Sequence, residues 1–435
     1  MGQSINTTFM AKTLAVAVTA IMASSAHAAQ SEQQQIQQLR QEVESLKTLI
    51  QQQHQVQQQQ QTQIEQVKAQ PVQLAAAPVA KSDASLTAFK TKAGANVKLY
   101  GFIRGDANYI VKGADNDFNS VNKVGGSGAT DPKLVNDKLR ATAKITRFGL
   151  DFDTPVGDDK VGGKVEVDFA SASESLRIRH AYVTYNNWLL GQTTSNFLSS
   201  HAPEMIDFNT NMGGGTTRIP QVRYNYKLAP TTQLLVAMER GASTATASTV
   251  KYSLPVLTGK VIQGFADGKG TASARALIEQ YKDETGKDDK TGWGVAAGMN
   301  YQVSPPLKVS ADVSHVVGNS NYLYGSNTAY VVDVNKNIEQ NEFNAVQLGA
   351  TYKFSPQFRS TLAYGGMFAD DGNDYAKIAN NANSNEKVQQ AWINFIYSPA
   401  APIDLGVEYV NGKRDTFGGN SYKDNRFGLM AKYSF

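Results

Sequence analysis

From about Asn96 to its last residue the chain alternates apolar and polar residues in segments of about ten. In 293–303 one set is Trp293, Val295, Ala297, Met299, Tyr301 and Val303, and the other is Gly294, Ala296, Gly298, Asn300 and Gln302. In 307–317, Leu307, Val309, Ala311, Val313, His315 and Val317 alternate with Lys308, Ser310, Asp312 and Ser314. Successive side chains of a strand point to opposite faces, so this period of two specifies β-strands, each with one apolar face. No window outside the N-terminal region reaches the roughly 18 apolar residues of a membrane helix.

The connections are unequal. Short turns fall at 154–157, 229–231, 304–306, 355–357 and 398–402, each marked by proline, whereas 112–138, 198–218, 318–341 and 369–386 are long and polar. Short turns at one end and long loops at the other are the arrangement of a transmembrane barrel. Fifteen strands are legible: 97–111, 139–154, 160–171, 174–186, 188–197, 220–229, 232–243, 270–283, 291–303, 307–318, 342–354, 358–369, 386–398, 403–413 and 422–435. The stretch 249–266, broken by Pro255, supplies one more, and an even count predicts sixteen. A soluble sandwich would bury its alternating face in Ile, Leu and Val. Here that face is rich in Tyr, Trp, Gly and Ala, and the opposite face reads as uniformly polar. In the final segment Phe427, Leu429, Ala431, Tyr433 and Phe435 share the apolar face. This resembles the closing strand of outer-membrane barrels, which implies that Tyr433 and Phe435 form the signal read by the barrel-insertion machinery.

Lys12, the apolar run from Thr13 to Met22 and Ala26-His27-Ala28 read as a signal peptide cleaved before Ala29. Between 30 and 70, Ile36, Leu39, Val43, Leu46 and Ile50 hold a and d positions of a heptad that resumes at Ile64 and Val67 after a Gln-filled middle. A coiled coil and a Gln-rich disordered tether both fit this segment. The expected organisation is signal peptide 1–28, Gln-rich coiled coil 29–70, linker 71–95 and barrel 96–435. The fold class is therefore all-β, a transmembrane antiparallel β-barrel with an N-terminal α-helical extension. The chain has no cysteine, which removes thiol catalysis and thiolate metal sites. A net charge of +4 is too small to indicate nucleic acid as a partner.

If the apolar face meets lipid, the polar face lines the lumen and its charges set selectivity. Alternation then directs Arg104, Arg147, Arg177, Arg179 and Arg223 inward, with Arg218 just before its strand. It places Leu176, Ile178 and Tyr182 on the face opposite Arg177 and Arg179. These arginines read as a basic ladder for anions, since the guanidinium fork donates two parallel hydrogen bonds to a carboxylate. They could equally pair with Asp106, Asp151, Glu166 and Asp168, which also point inward. The connection 198–218 contains His201, Pro203, Glu204, Asp207 and Met212-Gly213-Gly214-Gly215. Residues 96–435 resemble a trimeric outer-membrane porin. The resemblance implies that this third long connection folds inward as a constriction, opposite Arg147, Arg179 and Arg218, with Glu204 and Asp207 as their acidic partners.

The mature chain resembles a narrower group, the DcaP-like porins, through Ile36 to Val67, the Arg177-Ile178-Arg179-His180-Ala181-Tyr182-Val183 run, Trp188 to Thr193 and Phe435. That resemblance implies a homotrimer in the Gram-negative outer membrane with its extension in the periplasm, contacting membrane lipid and passing small anionic solutes, particularly dicarboxylic acids, by passive diffusion. A barrel with a closed lumen, tethered by its extension to the periplasm or cell wall, is the alternative. Enzyme chemistry is not expected, nor is a cofactor or metal. His54, His180, His201 and His315 show no metal-pair spacing, and His180 and His315 alternate with apolar residues as outward positions would.

Overall fold

The computed structural model describes residues 88–435 except 92–93, 127–128, 172, 246–249, 285–287 and 379–380. The expected signal peptide, coiled coil and most of the linker lie outside the described residues. Sixteen strands form the barrel wall: β1 (Asn96–Lys112), β2 (Lys138–Thr142 continued by Arg147–Val156), β3 (Asp159–Asp168), β4 (Arg177–Tyr185), β5 (Trp188–Thr194), β6 (Arg218–Ala229), β7 (Thr232–Glu239), β8 (Val256–Phe265), β9 (Gly270–Asp283), β10 (Asp288–Ser304), β11 (Leu307–Val317), β12 (Glu342–Lys353), β13 (Phe358–Ala369), β14 (Asn385–Ala400), β15 (Ile403–Thr416) and β16 (Ser421–Ser434). Each pairs antiparallel with its neighbour in sequence, and β16 closes on β1 through Phe102↔Ser434 to Lys112↔Asn425. A closed ladder leaves no unpaired edge, the condition for a sheet in hydrocarbon.

The doubtful stretch supplies β8, which begins at Val256 directly after Pro255. Proline lacks the N–H a ladder needs, so it precedes the strand rather than interrupting it. β2 is one crossing in two pieces, both paired to β1. The two-residue turns at 157–158 and 186–187 use the left-handed region at Gly157 (φ 61°) and Asn186 (φ 50°). Phe435 exchanges both backbone hydrogen bonds with Gly101 and packs against Phe148, 6.0 Å between ring centroids. The outward face is exposed and apolar from Ile103 and Tyr109 round to Leu429 and Tyr433.

The inward face is not uniformly polar. The connections 113–137, 195–217 and 318–341 fold over the barrel interior, and Val121, Phe197, Leu198, Met212, Tyr322 and Leu323 form one buried cluster with wall residues that include Val256, Leu277, Val316, Phe343, Met367 and Val388. Where loops cover the wall, the lumen becomes a core and its side chains follow the rules of a core. A β-bulge corrects a second expectation. Glu166 pairs with His180 but Val167 pairs with Ile178, so Arg179 is the extra residue. The bulge keeps Arg177 and Arg179 inside and shifts the alternation, bringing His180 and Tyr182 to the inner face while Val183 and Tyr185 are exposed.

Candidate functional site

The connection 195–217 runs round the inside of the wall and is held at nearly every step. Asn196 N–H donates to Glu239 of β7 at 2.9 Å, and Lys260 of β8 donates to the Leu198 carbonyl at 3.0 Å. His201 Nε2 lies 2.9 Å from Ser273 Oγ of β9, and Ser199 donates to Asp312 of β11 at 2.6 Å. Arg359 of β13 forks onto Glu204, while Trp392 and Asn394 of β14 donate to the Glu204 carbonyl at 3.0 Å. Glu408 of β15 accepts the Ile206 and Asp207 N–H groups at 2.7 and 3.2 Å, and Arg104 of β1 donates to the Ile206 carbonyl at 2.6 Å. The loop returns across β12, where Gln347 donates to the Met212 carbonyl at 3.0 Å.

The glycine triplet permits this return. Gly213 has φ 78°, and a Cβ there would lie 2.5 Å from the Val346 carbonyl oxygen; one on Gly215 would lie 1.8 Å from that of Tyr322. The loop backbone is thus wedged between the wall and the connection 318–341.

Glu204 and Asp207 do not face the arginine cluster expected for them. Glu204 pairs with Arg359, and Asp207 accepts the Asn119 and Asn209 N–H groups at 2.6 and 2.9 Å. Arg359 carried a legible signal, since it alternates inward after the exposed side of its strand, but its partner was invisible without the fold. Burial pushes the Asp207 carboxyl up to about 6, against hydrogen bonds from Asn119 and Asn209 and the charges of Arg426 and Arg104. Burial likewise lowers His201 to about 4, opposed by the Asp312 charge and assisted by Arg275, Lys260 and Lys308.

Among the described residues, β2, β3 and β4 make no hydrogen bond to this loop, and their inner faces carry the basic wall. Arg177 forks onto Asp168 at 2.7 and 2.8 Å. Arg179 is buried between Glu166 (2.6 Å) and Asp168 (2.8 Å). Arg147 stands over the Phe102 ring at 4.9 Å and reaches Glu166 only at 3.5 Å. Lys164 bridges Asp151 and Tyr100, each at 3.0 Å. Arg218 and Arg223 have no carboxylate within 4.0 Å among the described residues; Arg218 feels the like charges of Arg179, Arg147 and Arg177, and Arg223 lies 3.5 Å from the Asn196 side-chain oxygen and feels the more distant charge of Glu239. Arg147, Arg177 and Arg179 therefore share two carboxylates, Glu166 and Asp168, and Arg218 and Arg223 add two guanidiniums without an ion pair among the described residues. Arg104 lies apart on β1, tied to Asp106 and the loop.

The sequence model of the DcaP outer membrane protein family matches residues 22–435. The chain belongs to the DcaP outer membrane protein family. It is similar to the crystal structure of the outer membrane channel DcaP of Acinetobacter baumannii at 68% identity and a TM-score of 0.76, over 80% of this chain and 100% of that one. At the level of fold it also resembles the anion-selective porin from Comamonas acidovorans, 13% identical with a TM-score of 0.53 over 78% of this chain and 100% of that one. The in-vitro folded OmpT of Vibrio cholerae, in a trimer form, is 14% identical with a TM-score of 0.51 over 78% of this chain and 99% of that one. No curated protein matches the chain significantly.

The DcaP family assignment places the barrel in the outer membrane, with its loop-rich end outside and both Asn96 and Ser434 at the end of the short turns. The loop's hydrogen bonds divide the inner surface in two. One part is a wall with the loop bound to it, and the other is the basic face of β2 to β4, continued by Arg218 and by Arg223 of β6, which meets the loop at Asn196.

Proposed function

We propose that this DcaP-family barrel is a passive diffusion channel for small anions, with dicarboxylic acids as the preferred class. The observation that carries the reading is the excess of guanidinium on the wall the constriction loop leaves free. Arg218 and Arg223 keep hydrogen-bonding capacity, and the Arg147 and Arg177 side chains are 27% and 38% exposed. A permeating carboxylate can take up forks the protein leaves unfilled, and a second carboxylate on the same solute finds a second arginine. The narrowness set by the anchored loop strengthens that attraction by excluding water between ion and wall. Glu166 and Asp168 temper it, so the solute is held weakly enough to leave. Kinship with an outer membrane channel supports the same reading.

The chain acts in this reading as a homotrimer, with the segment before the barrel on the periplasmic side and Tyr433 and Phe435 as its insertion signal. Reversal potentials across a planar bilayer in a salt gradient test it. Anion selectivity is expected; cation selectivity would overturn the anion reading, and the absence of current would favour the closed, tethered barrel.

A further inference from the structure

On the outward face, the loop-rich end of β15, β16 and β1 carries three stacked rows of residues. The lowest is aromatic, with Tyr409 opposite Phe427 and Phe427 opposite Tyr109. The Tyr409 and Phe427 rings are 4.8 Å apart, and Phe427 and Tyr109 are exposed. Aromatic rows on barrel exteriors mark the level where hydrocarbon meets headgroups. Next comes an amide row, in which Asn411 donates to Asn425 at 3.0 Å.

The outermost row is basic. Lys413 stands directly opposite Lys423, and a register shift after Ile110 turns Lys112 outward beside Asn425, diagonal to Lys423. Like charges facing across a ladder destabilise it; Asp415 offsets Lys413, and Lys423 is left without an ion pair among the described residues. Four residues separate Phe427 from Lys423, about 13 Å along the strand and about 10 Å nearer the exterior after strand tilt. That is the depth of lipid phosphate.

The charges around the row compensate only part of it. Asp415 takes Lys413 at 2.9 Å and Glu386 takes Lys387 at 2.8 Å, but Lys112, Lys123 and Lys423 have no ion pair among the described residues. These three line a cavity of about 590 Å³ between the connection 113–137 and the start of β16, with Tyr422 beside them. Its two carboxylates are engaged, Asp115 by Lys138 and Arg140 and Asp131 by the Lys133 N–H. Elsewhere on the rim the pattern is opposite: Lys282 faces Asp289 at 3.1 Å and Lys251 meets Glu284 at 2.5 Å.

We propose that Lys112, Lys123 and Lys423 bind the phosphate of a phosphorylated glycolipid of the outer leaflet, its acyl chains lying along the Tyr409, Phe427 and Tyr109 row. Headgroup anions attract a surface lysine with an energy that corresponds to about fivefold in affinity for each residue. The purified, delipidated full chain, titrated with a bis-phosphorylated diglucosamine lipid and followed by native mass spectrometry, tests this. Lys112→Gln with Lys423→Gln should weaken binding about 25-fold and Lys423→Gln alone about fivefold. Lys282→Gln should bind as wild type, and unchanged single-channel conductance reports that each variant is folded. Four results would each overturn the proposal. They are equal binding by the double variant, equal binding of the dephosphorylated lipid, displacement by millimolar inorganic phosphate, and a cross-link from position 423 to a second copy of the chain.

Discussion

Replacing Glu408 with alanine should release the loop 195–217. The Glu408 side chain is 1% exposed and accepts from the N–H groups of Ile206 and Asp207, from the Thr210 hydroxyl and from the Asn394 amide. Alanine leaves two backbone N–H groups facing a dry wall without an acceptor. Each such loss costs about 1–3 kcal/mol, giving about 2–6 kcal/mol against the seated loop. Near 3 kcal/mol, the ratio of seated to displaced loop falls about a hundredfold. Arg359 and Arg104 still hold Glu204 and the Ile206 carbonyl, so the loop should detach intermittently. Single-channel recording should show larger, noisier conductance, and limited proteolysis should cut within 195–217. Glu408→Gln, which keeps one acceptor in place, should behave between the two. A folded Glu408→Ala barrel with wild-type conductance, noise and protease resistance would refute the claim that this carboxylate holds the aperture.

Four further outcomes follow from the geometry. Arg218→Ala with Arg223→Ala removes two guanidiniums that have no ion pair among the described residues, so the anion-over-cation permeability ratio should fall severalfold with thermal stability little changed; unchanged reversal potentials would contradict it. Arg179→Ala instead removes the buried guanidinium that joins Glu166 and Asp168, which keep Arg147 and Arg177, and should lower stability by about 1–3 kcal/mol, read by denaturant unfolding. Asp207 is raised from 3.8 to about 6, so the folded state binds the extra proton and this group's stabilisation is lost as pH rises through that window. His201 is lowered from 6.5 to about 4, so its stabilisation is lost as pH falls through nearly the same window. The two oppose: between pH 4 and 6 stability should rise more steeply with pH in Asp207→Asn than in wild type, and fall in His201→Gln. Gly365→Val should displace the returning loop, because a Cβ there lies 2.1 Å from the Met212 carbonyl oxygen; enlarged conductance checks it.

The barrel was legible because lipid and water impose an alternation that every strand must obey, and because turns and loops differ in length by their side of the membrane. Strand boundaries moved by only a few residues, and Pro255 proved to be the start signal of β8. What alternation could not reveal were its exceptions. One extra residue at Arg179 reversed the facing of His180 and Tyr182, and nothing local marks a bulge inside a run of good strand formers. His315 kept the expected outward position, beside Trp293 and Asn344. The partners of Glu204 and Asp207 were beyond reach, since Arg359 and Asn119 come to them only through closure of the barrel and the path of two loops. Arg147, Arg177, Arg179 and Arg223 were readable as inward, but the division between Arg177 and Arg179, which are paired, and Arg218 and Arg223 on β6, which have no ion pair among the described residues, depends on distances across strands. The apolar lining under the loops was hidden for the same reason.

Block of the ionic current by a dicarboxylate tests the central claim most directly. In a planar bilayer, succinate added to the wild-type channel should interrupt the current in a concentration-dependent manner, and more strongly than acetate at equal ionic strength. The Arg218→Ala, Arg223→Ala channel should lose that difference. Equal block by succinate and acetate in the wild type, or an undiminished preference in the variant, would contradict an arginine-lined path for dicarboxylic acids.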